Sequence, residues 1–169
     1  MSVDIKKYKF GVIGYGFLGT ALVHGFGLHA DIKIHDKFKE YDSLEDTVKH
    51  SEFIWMCLPT PMNMETGAID LSILDENLTA INGMVTKDDE KIIIIKSTVV
   101  PGTTRAFAEK YTNLKFVMNP EFLTARNNKL DFICASRIII GADSSAGDRL
   151  EEAYRYRFGN STHSTYSAD

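Results

Sequence analysis

Three glycines constrain this chain more than any other feature. Gly14-Tyr15-Gly16-Phe17-Leu18-Gly19 forms a G-x-G-x-x-G directly behind an apolar run containing Phe10, Val12 and Ile13, and an apolar stretch continues from it to Gly27. Read physically, the segment is a buried strand, a tight turn and the start of a helix. The first glycine permits the turn, the second lets backbone approach a pyrophosphate, and the third lets the helix pack on the strand. A helix that opens there presents unpaired N–H groups and the positive end of its dipole, which suit a phosphate. A glycine turn that binds nothing is the plain alternative. A second signal at the expected distance speaks against it.

That signal is Asp36. Residues 31–35 (DIKIH) alternate as a short strand would, and Asp36 ends it 22 residues beyond Gly14. A carboxylate at about this distance meets the ribose hydroxyls of a dinucleotide. It favours NAD over NADP, because it repels a 2′-phosphate, although Lys37 beside it could tolerate one.

The rest of the chain alternates between apolar runs and amphipathic stretches. Ser43–Lys49 reads as a short helix capped by Ser43, with Asp46 three residues on. Phe53–Leu58 is a continuous apolar strand ended by Pro59-Thr60-Pro61, and residues 62–70 are a loop. Asp70 is placed to cap a helix carrying Leu71, Leu74, Leu78, Ile81 and Val85 at steps of three and four. Lys91–Lys96 (KIIIIK) is a buried strand, a helix is expected near Arg105–Tyr111, and Leu114–Met118 is a further strand. Asn119-Pro120-Glu121-Phe122-Leu123 places a proline at a plausible first helical position. Arg137–Gly141 reads as a last strand, Ser145–Phe158 as a last helix, and residues 159–169 as a frayed polar tail.

Strands alternating with helices predict an α/β fold: a single Rossmann-type domain over residues 1–158, with a mainly parallel sheet and helices on both faces. Ligands in such sheets sit at the carboxyl ends of the strands. The glycine turn, Asp36 and three polar, proline-marked loops (59–61, 97–102 and 119–121) all fall at those ends.

Composition narrows the function classes. The net charge is −4 with no basic block, which argues against a nucleic-acid partner. No apolar run reaches the length of a membrane span, and no signal-peptide core precedes Phe10. Cys57 and Cys134 fit reduced cytoplasmic thiols in packing roles better than a disulfide framework or a nucleophile. The five histidines have no metal-ligand spacing, so no metal is assigned.

Taken together, GYGFLG (14–19), LPTP (58–61), KSTVVPGTT (96–104), NPEFL (119–123) and Asp131 followed by RIIIG (137–141) resemble the N-terminal domain of the UDP-glucose/GDP-mannose dehydrogenase family. The resemblance covers nearly the whole chain. It implies an oxidoreductase that takes a nucleotide-sugar primary alcohol to a carboxylate in two hydride transfers to NAD. Residue by residue, Thr98 resembles the threonine that helps hold a catalytic water, and Glu121 the glutamate implicated in thioester hydrolysis. Phe122 and Leu123 resemble residues lining the sugar-nucleotide site. Leu58, Pro59 and Thr60 resemble residues along the dinucleotide, together with Gly14, Tyr15, Gly16, Phe17, Leu18, Gly19, Asp36, Lys37 and Thr98.

Departures accompany the resemblance. The family commonly carries a second glutamate and then a glycine where Ala125 and Arg126 stand, and the segment between Asp36 and Phe53 is short. The family's catalytic lysine, asparagine, cysteine and aspartate belong to a central helix and second domain beyond the stretch that these 169 residues resemble. Family dimers form largely through that helix, so a homodimer stays open, as does the choice between UDP-glucose and GDP-mannose. A nucleotide-binding module that kept the pocket but lost the chemistry, and a related β-hydroxyacid-type dehydrogenase, are the rival readings.

Overall fold

The computed structural model describes residues 8–142 and 145–159. Five strands form one all-parallel sheet: β1 (Tyr8–Ile13), β2 (Ala30–His35), β3 (Phe53–Met56), β4 (Ile92–Ile95) and β5 (Lys115–Met118). Their order in the sheet is β2-β1-β3-β4-β5. The chain therefore winds one way from β1 to β2 and the other way from β3 onward. The switch between β1 and β3 opens a crevice at the carboxyl edge, where the glycine turn leads into α1 (Phe17–Phe26). Only the seven-residue α2 (Leu44–His50) carries the crossover from β2 to β3, which is the structural form of the short segment after Asp36. Ser43 caps it, its hydroxyl accepting from the Asp46 N–H at 3.0 Å.

Period-two alternation sends the strand side chains into two cores. Phe10 and Val12 of β1, Phe53 and Trp55 of β3, Ile92 and Ile94 of β4, and Val117 of β5 meet α1, α5 (Asn128–Ile133) and α6 (Ser145–Phe158) on one face. Ile13, Ile54, Met56, Ile93, Ile95 and Phe116 meet α2, α3 (Ser72–Met84) and α4 (Thr103–Lys110) on the other. Both faces are covered, as an all-parallel sheet requires. The first core is largely aromatic: the Phe26 ring lies 5.1 Å from Phe10 and 5.3 Å from Tyr154, each edge to face. The expected apolar stripe of α3 is present, with Leu74, Leu78 and Ile81 fully buried.

Three expectations need correction. Residues 119–124 form no helix behind Pro120; the next helix begins at Asn128. The backbone N–H of Phe122 goes to the Glu121 carboxylate at 2.9 Å and that of Thr124 to Asp131 at 2.8 Å. The two carboxylates fold the segment into local side-chain-to-backbone turns in place of a helical ladder. Residues 137–141 are not a strand. They touch β5 through a single antiparallel bridge, Met118 to Gly141. The Ile139 carbonyl is diverted to the Asn119 side chain at 2.7 Å, which breaks any longer ladder, while Ile138 and Ile140 still bury in the core. Cys134 is exposed and so does not pack, whereas Cys57 is buried. Residues 160–169 of the expected tail, His163 included, lie outside the described residues.

Candidate functional site

A cleft of about 690 Å³ runs along the carboxyl edge of the sheet, lined at the end of every strand: Ile13, His35, Cys57, Lys96 and, beyond β5, Glu121. Of the residues singled out from the sequence, Gly14, Gly16, Phe17, Leu18, Asp36, Lys37, Leu58, Pro59, Thr60, Thr98, Glu121 and Leu123 line it. Tyr15 and Gly19 do not. Gly19 is buried where α1 meets the turn, and Tyr15 contributes backbone while its ring packs on Tyr41. Phe122 also lies elsewhere. It lines a neighbouring cavity of about 260 Å³, where the Arg137 guanidinium sits 4.6 Å from its ring centre.

The turn is tight at its first glycine and open at its second. Gly14 has φ +93°, and a Cβ there would lie 2.5 Å from the Cys57 carbonyl oxygen. At Gly16 a Cβ would meet nothing within 4 Å, so its backbone faces open cleft. Helix α1 starts there with no side-chain cap and no acidic residue in its first turn. Its leading N–H groups are thus unclaimed by side chains, the condition for holding an anion, and the Asp36 carboxylate is tied to the Tyr15 N–H just before the helix.

At the β2 end, Asp36 accepts from the Tyr15 N–H at 2.8 Å and the Phe38 N–H at 2.9 Å, one on each carboxylate oxygen. Burial alone would raise its pKa. The two backbone N–H groups, Lys39 and His35 outweigh that and hold it below the ordinary carboxylate value. The carboxylate is therefore fixed and ionised, with lone pairs left to accept further donors. Lys39 donates to the Tyr15 carbonyl at 2.6 Å and ties the two loops together.

At the other end, Ser97 is buried and stitches β3 to β4. It donates to the Leu58 carbonyl at 2.7 Å and accepts from the Leu58 N–H at 3.0 Å. Thr60 donates to the Thr98 carbonyl at 2.7 Å. Thr98 does not cap a helix, because α4 begins only at Thr103 behind Gly102. Glu121 is not in a helical first turn either. Its carboxylate meets the Lys96 ammonium at 2.8 Å. Cys57 lines the same cleft, but burial, with Glu121 adding to it and Lys96 opposing, pushes its thiol up to about 12. It is a thiol and not a nucleophile at neutral pH.

Sequence reading missed Lys96, Ser97, Phe38 and the α3 residues Ile73, Glu76 and Asn77, all of which line the cleft. Lys96 was legible in principle. It falls in register with Ile92 and Ile94, so the alternation puts it on the face of the first core and not in solvent. Phe38 is 89% exposed beside Asp36 and lines the cleft. Among the described residues no group of acidic, histidine or cysteine side chains could hold a metal ion, and no helix is long and apolar enough to cross a membrane.

The model of the UDP-glucose/GDP-mannose dehydrogenase family NAD-binding domain matches residues 28–157, a stretch that starts just past α1. An uncharacterised protein of Methanocaldococcus jannaschii is 30% identical over 171 aligned residues, covering 92% of this chain and 19% of that protein. The UDP-glucose 6-dehydrogenase AglM of Haloferax volcanii is 32% identical over 153, covering 80% of this chain and 34% of that enzyme. Among solved structures, a UDP-glucose dehydrogenase from Pyrobaculum islandicum superposes with a TM-score of 0.81 at 21% identity, over 99% of this chain and 48% of that one. The chain spans less than half the length of each of these proteins.

Proposed function

The chain belongs to the UDP-glucose/GDP-mannose dehydrogenase family, carrying its NAD-binding domain, and from that premise we propose that it forms the cofactor half of a nucleotide-sugar 6-dehydrogenase. The observation that carries this reading is the single cleft. It joins an uncapped helix N-terminus, a fixed carboxylate at one end and the Thr98–Glu121 end at the other. Bound NAD supplies the acceptor for the hydride leaving the sugar alcohol. The protein's part is to hold it. Gly16 and the N–H groups of α1 receive the pyrophosphate, Asp36 takes the adenosine ribose, and the Phe38 ring offers a flat apolar face to adenine. The Leu58, Thr60, Thr98 and Glu121 end of the cleft would then hold the nicotinamide, the ring that accepts the hydride.

In this reading Thr98 lies at the mouth of the cleft, where a hydroxyl can both donate to and accept from a water or a sugar hydroxyl. Glu121 is the carboxylate available to take a proton from that water, and Leu123 continues the wall toward the sugar. Phe122 belongs to the same segment, but its ring is turned to the smaller cavity. The substrate is a nucleotide sugar of the UDP-glucose or GDP-mannose class. Two free thiols, one of them exposed, support a reducing, cytoplasmic setting.

One observation favours a module without chemistry: Ala125 and Arg126 are both exposed where the resemblance implies a glutamate and a glycine. Assays of NADH formation separate the readings. Residues 1–169 alone should produce no NADH above background with UDP-glucose or GDP-mannose, and any longer product of the same gene should turn over one of them. Turnover by the 169 residues alone contradicts the half-site reading. A silent full product that still binds NAD supports the module.

A further inference from the structure

Among the described residues, Lys96 is the one charged residue that is buried. Its side chain is 2% exposed, and it ends the four-isoleucine run of β4 on the face of the aromatic core. The ammonium lies 5.5 Å from the Phe132 ring centre and 5.9 Å from that of Trp55. Burying such a cation costs several kcal/mol unless it is paired and fully hydrogen-bonded. Here the pairing is complete. Nζ lies 2.8 Å from the Glu121 carboxylate, 3.0 Å from the Asn119 side-chain oxygen and 3.4 Å from the Asn119 carbonyl. Asn119 is held in turn: its amide donates to Ile139 at 2.7 Å, and its oxygen also accepts from the Tyr154 hydroxyl at 2.7 Å.

Lys96 and Glu121 are the two charged residues shared by the walls of the main cleft and the smaller cavity, so the pair forms the partition between them. On the smaller-cavity side, Asp131 is bound to Thr124 and Arg137 lies on Phe122. On the cleft side the other charged residues in the lining are Glu76 of α3 and, at the far end, Asp36 and Lys37. Where the cleft meets the smaller cavity, the local charge is therefore set by how far Lys96 cancels Glu121, against the background of Glu76.

We propose that Lys96 is a positioning residue for the redox end of the cleft: it anchors Glu121 and neutralises it, so that the pair sets the preference between oxidised and reduced cofactor. This rests on the NAD orientation given above. The oxidised nicotinamide ring carries a positive charge that the reduced ring lacks. A bare carboxylate near it favours NAD⁺, a bare ammonium favours NADH, and a closed pair is nearly neutral toward both. The pair thereby lets oxidised cofactor enter and reduced cofactor leave without a large bias at this end.

The test is the ratio of dissociation constants, NAD⁺ over NADH, measured by calorimetry on residues 1–169 at neutral pH. Lys96→Met should lower the ratio roughly three- to tenfold, and Glu121→Gln should raise it by a similar factor. The double variant should return it to the wild-type value, and Lys96→Arg should leave it there. A merely structural lysine would move both affinities together and leave the ratio alone. An unchanged ratio in Lys96→Met, or the same direction of change in both single variants, overturns the proposal. If Lys96→Met fails to fold, the rise in Glu121→Gln and its reversal in the double variant decide it. Wild-type protein that binds no NAD overturns the NAD reading together with this one, whereas normal binding with an unmoved ratio overturns this one alone.

Discussion

Replacing Gly14 with valine should cost the fold about 2–5 kcal/mol and remove measurable NAD binding. Two independent effects add. The φ of +93° lies where a β-branched residue is strained. A Cβ would also stand 2.5 Å from the Cys57 carbonyl oxygen and 3.0 Å from its carbon, which are backbone atoms that cannot rotate away. Relief requires the turn to lift off β3. That turn is anchored by Gly14 N–H to His35 carbonyl and Cys57 N–H to Ile13 carbonyl, both at 2.8 Å. Gly16→Val is the counterpart. A Cβ there meets nothing within 4 Å, so the protein should unfold at nearly the wild-type denaturant concentration while NAD affinity falls by about tenfold or more, because the side chain occupies space the pyrophosphate needs. Chemical denaturation and calorimetry on the two variants separate the glycine that shapes the turn from the one that admits the ligand. Equal stability losses would contradict this division.

Asp36→Asn should collapse the discrimination between NAD and NADP. The asparagine keeps the size of the side chain and an oxygen able to accept from Tyr15 or Phe38, but loses the charge that repels a 2′-phosphate. NAD should bind about tenfold more weakly and NADP about tenfold more tightly, because Lys37 and Lys39 are then unopposed. The preference narrows by about two orders of magnitude, read by calorimetry with the two cofactors. The effect has a defined pH window. The folded carboxyl lies below its ordinary value of 3.8, since two backbone N–H groups and nearby cations outweigh burial. Its contribution is complete above that ordinary value and is lost only as pH falls through the lower folded one. Below about pH 6 the 2′-phosphate of NADP itself gains a proton, so discrimination by the wild-type chain should stay constant between about pH 8 and about pH 7. A loss within that interval would mean that another group selects the cofactor.

Much of this was legible in the sequence because local chemistry and global fold agree. Strand, turn and helix around Gly14–Gly19 are dictated by three glycines and an apolar run. The helix after Ser43 and the one over Ser145–Phe158 stand where capping and periodicity placed them. The failures share a cause. At Asn119–Leu123 and Arg137–Gly141, Asn119, Glu121 and Asp131 take backbone groups away from regular structure, and no periodicity records that. Lys96 counts within the buried strand Lys91–Lys96 and is given no role of its own, because parity with Ile92 and Ile94 names the face it occupies but not its partner Glu121, which arrives from beyond β5. Phe38 was overlooked because a lone aromatic in a polar loop has no pattern to betray it.

These residues should form a working dinucleotide site in their own right, which titration of NAD into residues 1–169 by calorimetry checks, with Gly16→Val as the blocked control. One NAD should bind per chain with a dissociation constant roughly between 10 μM and 1 mM, and the control should bind at least about tenfold more weakly. No heat of binding at about 1 mM NAD, or equal binding by Gly16→Val, would contradict it.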